Sequence, residues 1–362
     1  MSQTLPMDGL PIPQRYGAIL AIALGLTVAV LDGAIANIAL PTIARELQAS
    51  PAQSIWIVNA YQLAIIVSLL SLSFLGDILG YRRIYQWGLV IFSCTSLLCA
   101  LSSSLEMLTF ARVLQGFGGA ALMSVNTALI RIIYPQRHLG RGIAINSLIV
   151  AVSTAAGPTV AAAILSVASW QWLFFINLPV GIAALCLALR FLPDNPQKAQ
   201  GQRFDIASAA MNALTFGLLI AALSGVAQGQ RWEIIAAELA ALLVVGVLFI
   251  RRQLTLPFPL LPVDLLRIPI FSLSICTSVC SFCAQMLAMV SLPFYLQSVL
   301  GRDEVATGLL LTPWPLATMV MSPIAGRLIE RYHAGLLGGV GLTMFAAGLF
   351  ALALLPAAPG DL

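Results

Sequence analysis

The sequence predicts an all-α integral membrane protein, and three observations carry that prediction. Of 362 residues, 60% are hydrophobic and 9% are charged, against about 25% charged in an average soluble domain. Apolar runs of roughly 18 to 25 residues recur along the whole chain, long enough for a helix to cross the hydrocarbon core, whereas barrel strands would be about half that length and would alternate. The Lys and Arg residues, finally, fall almost entirely on one side of those runs.

About eleven spans follow, read in order. The first covers 16–40; the segment before it has no basic stretch of the kind that opens a cleavable signal, and the run is too long for one, so it stays as a span. The next four, at 55–75, 84–101, 107–130 and 143–167, are separated by short polar or Pro/Gly-containing breaks such as Gly80-Tyr-Arg82-Arg83 and Tyr134-Pro-Gln-Arg-His138. A sixth, 172–192, is followed by the only sizeable hydrophilic stretch, Pro-Asp-Asn-Pro-Gln-Lys-Ala-Gln-Gly-Gln-Arg, which reads as a linker. Two more runs, 206–226 and 234–250, precede a proline-rich connection holding Asp264 and Arg267, and three close the chain at 270–296, 307–328 and 336–355. The expected organisation is a six-helix bundle over 1–192, a cytoplasmic linker at 193–204, two extra spans within 205–251, a connection at 252–269, and three helices of a second bundle in 270–362.

Orientation comes from the basic residues, which short cytoplasmic loops hold in excess. With the N-terminus inside, the cytoplasmic side receives Arg15, Arg82, Arg83, Arg131, Arg137, Arg141, Arg190, Lys198, Arg203, Arg251, Arg252, Arg267, Arg327 and Arg331; the outer side receives Arg45, Arg231 and Arg302. One missed or invented span would invert every later loop, so the bias supports the span count too. The net charge of +4 is thereby topological, and no nucleic-acid partner is read from it.

Two charges stand inside the spans. Asp32 lies about 13 Å from the outer end of its run and Arg112 about 8 Å from the outer end of an oppositely directed one, at 1.5 Å per residue, so the two share a similar depth. A charge there costs at least a few kcal/mol and is normally kept for a role inside the bundle. Burial and a neighbouring guanidinium pull a carboxylate's proton affinity in opposite directions, so the pair is the minimum machinery for switching a proton on and off; the alternative is a static pair holding two helices together. Arg112, Gln115, Gly116 and Gly119 share one helical face, polar and able to come close to a neighbour.

Other candidates are weaker. Asp77, Gly80 and Arg82 sit in a short loop; the arginine fits an orientation anchor, but a carboxylate does little for orientation, which points Asp77 to pairing with a neighbouring helix in one conformation and so to gating. Glu330 and Arg331 occupy a similar place after the tenth span, in a faint internal repeat of the kind that builds secondary transporters. Gly157-Pro158 inside the fifth span would loosen it. Trp56, Asn59 and Gln62, with Gln285, Met286, Met289 and Trp314 and with Gln115, would suit an adaptable aromatic and sulfur-lined substrate cavity, though core packing explains any single one of them. The six cysteines fall inside spans, where no disulfide is expected; Cys276, Cys280 and Cys283 share a face, but lack a fourth ligand and a nearby histidine for a metal. Gly116-Phe-Gly118-Gly-Ala-Ala121 has no strand before it to make a dinucleotide loop, and His138 and His333 stand in no triad spacing, so no enzyme is expected.

Several motifs together resemble the major facilitator superfamily, and within it the fourteen-span drug:proton antiporters of the EmrB/QacA type. The first span reads Leu31-Asp32-Gly-Ala-Ile-Ala-Asn37-Ile-Ala39-Leu40-Pro41-Thr-Ile43; the loop pattern is matched at Asp77, Gly80 and Arg82, the fourth-span pattern at Arg112, Gln115, Gly116 and Gly119, the antiporter signature at Gly157-Pro158, and the sixth-span start at Trp170-Gln-Trp172-Leu-Phe-Phe-Ile-Asn177-Leu-Pro179-Val-Gly181. Ile78 stands in a usual arginine place, Ser73 and His333 in glycine places, and Ser153, Ala161 and Ala162 replace signature glycines. The resemblance implies two pseudo-symmetric helix bundles with two linking helices, of which about three spans are missing here. It further implies proton-driven export of small amphipathic or cationic compounds across a bacterial inner membrane, with Asp32 and Arg112 coupling the proton, Asp77, Gly80, Arg82, Glu330 and Arg331 gating, Gly157 and Pro158 as a hinge, no cofactor beyond the proton gradient, and an accessory export protein left open. The alternatives are a proton-coupled metabolite carrier and, from another class, a passive pore or assembly protein; no recurring polar ring supports a pore.

Overall fold

The computed structural model describes residues 8–195, 204–296, 300–301, 310–311, 313–329 and 331–354, excluding the side chains of 38, 51–52, 158, 227, 289–290, 293–294 and 315. Among the described residues there is no strand. The helices are α1 Gln14–Glu46, α2 Pro51–Ser54, α3 Trp56–Leu79, α4 Tyr81–Ala100, α5 Leu105–Ile133, α6 Leu139–Leu165, α7 Trp172–Phe175, α8 Asn177–Phe191, α9 Ile206–Ala227, α10 Trp232–Thr255, α11 Pro269–Phe294, α12 Pro313–Leu328 and α13 Ala334–Ala353. Nine described segments, eight single helices and α7–α8 taken together, are long and apolar enough to cross a membrane. Two expected spans fall outside that set: α4, 20 residues long, opens with Tyr81-Arg82-Arg83 and carries Gln86, Ser93, Thr95 and Ser96, and α12 has 16 residues.

Local chemistry sets the helix ends. Ser104 accepts the Met107 N–H at 3.2 Å and caps α5, with Glu106 in the first turn and Arg131 in the last, each complementing the helix dipole. Gly80, at φ +108°, lets α3 end and α4 begin without a connecting loop. Two expected boundaries change. α1 does not stop before Pro41 but runs on to Glu46, because the burial of Ile43 and Ala44 outweighs one lost hydrogen bond. The sixth span is divided at Ile176 into α7 and α8, where Pro179 has no N–H to donate to the carbonyl of Phe175.

The chain forms two compact units, Met1–Leu139 with Ser153–Val263, and Gly140–Val152 with Asp264–Leu362. In the first, α3 and α4 pack most extensively on α5. Glycine makes this possible: a Cβ at Gly116 would stand 2.6 Å from the Tyr61 carbonyl oxygen, and one at Gly118 would stand 2.7 Å from the Phe92 nitrogen. α1 packs along α8, and α9 pairs with α10 and leans on α3, where Asn212 donates to the Val67 carbonyl at 3.0 Å. The base of the α9–α10 pair is tied by both carboxylate oxygens of Asp205 to Arg252, at 2.9 and 3.0 Å. In the second unit, Gly326 of α12 lies against Ala144 and the Gly140 carbonyl of α6.

The arginine-rich ends of the first unit meet at one pole. Leu10 N–H donates to the Ile133 carbonyl at 3.0 Å, Asp8 accepts from Gln136 N–H at 2.8 Å, and Arg82 donates to the Leu189 carbonyl at 2.6 Å. Gln14 joins the two sets by donating to the Phe191 carbonyl at 3.4 Å, so the start of α1, the α3–α4 turn, the α5–α6 connection and the end of α8 lie on the same side, as alternating spans require.

Candidate functional site: a buried charge cluster

Asp32 and Arg112 meet. Arg112 is fully buried and Asp32 is 1% exposed, and Arg112 Nη1 donates directly to Asp32 Oδ2. The geometry rests on the face of α5 that carries Arg112, Gln115 and Gly116: the missing side chain at Gly116 brings α3 close enough for Arg112 Nε to donate to the Ile57 carbonyl at 3.1 Å, and for the guanidinium to lie 4.1 Å from the Tyr61 ring centroid. Tyr61 is pinned in turn by its hydroxyl, which donates to the Ala29 carbonyl of α1 at 3.1 Å.

Four further side chains, Gln115, Ser96, Asn177 and Cys99, complete the cluster. Gln115 accepts from Arg112 Nη1 at 2.6 Å through Oε1, and donates from Nε2 to Asp32 Oδ1 at 3.1 Å and to Ser96 Oγ at 2.7 Å. Asn177, the first residue of α8, donates to Asp32 Oδ1 at 2.7 Å and to Ser96 Oγ at 3.3 Å. Cys99 of α4 donates to Gln115 Oε1 at 3.5 Å. Around them lies an apolar core that includes Ile35, Ile57, Leu108, Trp170 and Phe174. Gln115, expected to line a substrate cavity, is instead fully buried inside this cluster; the helix face was read correctly, but α3, α4 and α8 close over it.

The chemistry is that of a buried ion pair with no net charge. Asp32 accepts three N–H donors, from Arg112, Gln115 and Asn177. A proton arriving on Asp32 would cancel its charge and leave the guanidinium without its counter-ion, and an uncompensated buried charge is strongly unfavourable. The pair can therefore couple protonation to rearrangement. Arg112 Nη2 already has no hydrogen-bond partner among the described residues.

At the basic pole, Asp77 near the end of α3 meets the first residue of α4. It accepts from the hydroxyl of Tyr81, one turn ahead, and that bond, after burial, holds the Tyr81 phenol up at about 12. Further ties come from its neighbours: Arg82 pairs with Asp194 at 3.5 Å, Tyr81 N–H donates to Asn195 Oδ1 at 2.8 Å, and Asn195 donates to the Gly76 carbonyl at 3.3 Å. Gly80 makes the turn. Arg331 is exposed, and Glu330 lies outside the described residues.

α6 continues as helix through Gly157 and Pro158, with Gly157 so close to Ala34 of α1 that a Cβ would stand 2.5 Å from the alanine methyl; the Pro158 side chain lies outside the described set. Of the cavity candidates, Trp56 and Gln62 on α3 and Met286 on α11 are exposed, Asn59, Gln285 and Trp314 are half-buried, and the Met289 side chain lies outside the described set. None of them lines the apolar hollow of about 490 Å³ between the end of α6 and α7–α8, which is walled by Ile164, Trp172, Phe175 and Pro179 among others. Sequence reading passed over Asn177, Ser96, Tyr61 and Asn195 as site residues; a polar side chain at the depth of Asp32 was the available signal for the first three.

A model of the Major Facilitator Superfamily matches residues 22–361. Among curated proteins, an uncharacterized transporter, YebQ, of Escherichia coli K12 is 75% identical over 98% of this chain and 78% of its own length. The riboflavin transporter RibZ of Clostridioides difficile is 29% identical over 95% of this chain and 74% of its own, and the tetracenomycin C resistance and export protein of Streptomyces glaucescens is 34% identical over 95% and 64%. Among solved structures, the human organic anion transporter MFSD10 superposes with a TM-score of 0.58 at 16% identity, covering 90% of this chain and 74% of that one; at that identity the likeness is one of fold.

Proposed function

We propose a proton-coupled exporter, from the premise that this chain belongs to the Major Facilitator Superfamily and is a multi-pass transporter of that type. Protons moving inward drive small amphipathic compounds, lipophilic cations or neutral molecules, outward by alternating access. The membrane is a bacterial plasma membrane with the basic pole, and so the N-terminus, in the cytoplasm. The observation that carries the reading is the Asp32–Arg112 pair, a carboxylate sealed in the bundle whose protonation state must be matched by movement of its partners. In this reading Asp32 and Arg112 couple the proton, the Asp77–Tyr81 and Arg82–Asp194 contacts fasten the basic pole in one state, and the proton gradient replaces any cofactor. Likeness to a relative whose name describes export of tetracenomycin C supports the direction of transport.

Likeness to a riboflavin transporter favours a second reading, a proton-coupled carrier of one metabolite. Purified protein in proteoliposomes with an imposed pH gradient, offered lipophilic cations, neutral amphipaths and riboflavin in turn, separates the two. Counter-flow of several unrelated compounds supports export of many substrates, while movement of riboflavin alone selects the second reading. Transport indifferent to the gradient would end both.

A further inference from the structure

Asp32 has more donors than an ion pair needs. Oδ2 takes its hydrogen bond from Arg112, while Oδ1 takes two amide N–H groups, from Asn177 at 2.7 Å and from Gln115 at 3.1 Å. Both amides are neutral and leave the charge balance untouched; what they change is the relative stability of carboxylate and acid, since donors aimed at a carboxylate favour the charged form. The two are not equivalent. Gln115 rides on α5 one turn from Arg112 and moves with it, whereas Asn177 comes from α8, at the break that Pro179 creates. Asn177 can therefore leave Asp32 while the ion pair stays in place.

The charged and titratable groups facing Asp32 are Arg112 of α5, Tyr61 of α3 and Cys99 of α4. α7 has none, and those of α8, Cys186 and Arg190, lie more than two turns along the helix from Asn177.

We propose that Asn177 is a positioning residue: its amide holds Asp32 as a carboxylate, and its release from Asp32 accompanies proton loading. A proton on Oδ1 makes that oxygen a donor and a poorer acceptor, so it no longer holds both N–H groups aimed at it, and Asn177, carried on a separate helix from Arg112, is the one that gives way. A half-turn of the amide presents its carbonyl oxygen instead, which accepts from the new Asp32 O–H. The same oxygen then faces Ser96, whose hydroxyl accepts from both amides and donates no hydrogen bond among the described residues; turned about its Cβ–Oγ bond, it donates to the flipped carbonyl. The two rotations re-pair the hydrogen bonds around Oδ1, while the positive charge of Arg112, no longer balanced by Asp32, is left to drive the larger rearrangement.

The inference rests on the proton-coupled reading above, and its test needs no transported compound. In pH-difference infrared spectra of the whole protein in lipid, acidification of the wild type brings up a carboxylic-acid carbonyl band that Asp32→Asn lacks. In Asn177→Leu, similar in shape but without the N–H, that band reaches half height about one pH unit higher, the size expected for one donor withdrawn from a buried carboxylate. Asn177→Ser, smaller and easier to accommodate, moves it in the same direction. If the band is present but its midpoint is unchanged in both folded variants, the proposal fails while proton coupling stands. If the wild type shows no Asp32 band at any pH, proton coupling at Asp32 fails and this inference with it. Lower yield or melting temperature with an unmoved midpoint would mean that Asn177 is merely structural, which also overturns the proposal.

Discussion

Replacing Asp32 by Asn deletes one charge and almost no volume, which makes it the sharpest perturbation of the buried cluster. The carboxylate accepts from Arg112, Gln115 and Asn177. An amide has one acceptor oxygen, so whichever way it turns, its own N–H group faces a donor. Removing one partner of a buried pair costs about 3–5 kcal/mol. Arg112 keeps the Gln115 side-chain oxygen at 2.6 Å and the Ile57 carbonyl at 3.1 Å, but both bonds are present in the wild type and do not reduce the difference. The expected loss of stability is therefore about 3–5 kcal/mol, which a melting curve in detergent resolves. The functional consequence is separate. A proton that no longer crosses forfeits about 2.3 kcal/mol per 100 mV, or about 50-fold in the concentration ratio a neutral compound can reach at about 1.4 kcal/mol per decade. Proteoliposomes carrying Asp32→Asn should still exchange compound down its own gradient and should fail to accumulate it when only a proton gradient is imposed. Wild-type accumulation by a folded Asp32→Asn protein would refute the argument, leaving the ion pair as a structural fastening and placing the proton site elsewhere.

Other consequences are simpler to test. Gly116→Val puts side-chain atoms where a Cβ alone would stand 2.6 Å from Tyr61 backbone, so α3 and α5 must separate; we expect at least about 1–3 kcal/mol of destabilisation, read as a lower melting temperature, and an unchanged melting curve would contradict the packing. Arg252 beside Asp205 holds that carboxyl down at about 2, below its unfolded value of about 3.9, so the pair stabilises the α9–α10 base above about pH 4 and loses that contribution as pH falls toward 2. Asp205→Asn should accordingly melt slightly below wild type at pH 7, by a small margin because both partners are partly exposed, and the gap should close on acidification; a gap independent of pH would exclude the ion pair as its cause. With native cysteines removed, Ser50→Cys should react with an impermeant thiol reagent in intact cells and Gln136→Cys should not; equal labelling would overturn the orientation.

The span pattern, the helical class and the shared depth of Asp32 and Arg112 were open to sequence reading for one reason: each is visible segment by segment. Hydropathy and length mark a span, a lone charge inside it stands out, and counting residues from the ends puts two such charges at one depth. What surrounds the pair was not open in that way. Asn177, Ser96 and Tyr61 are ordinary residues taken singly, and they become a site only because α8, α4 and α3 turn those faces toward Asp32. Gln115 shows the same limit from the other side: its helical face was evident from spacing, but whether that face met a cavity or a neighbouring helix depended on Gly116 admitting α3. Likewise Pro41 and Pro179 remove the same backbone donor, yet α1 continues through the first and the sixth span divides at the second. A missing hydrogen bond is local, and the packing that compensates for it, as burial of Ile43 and Ala44 does for α1, belongs to the assembled bundle.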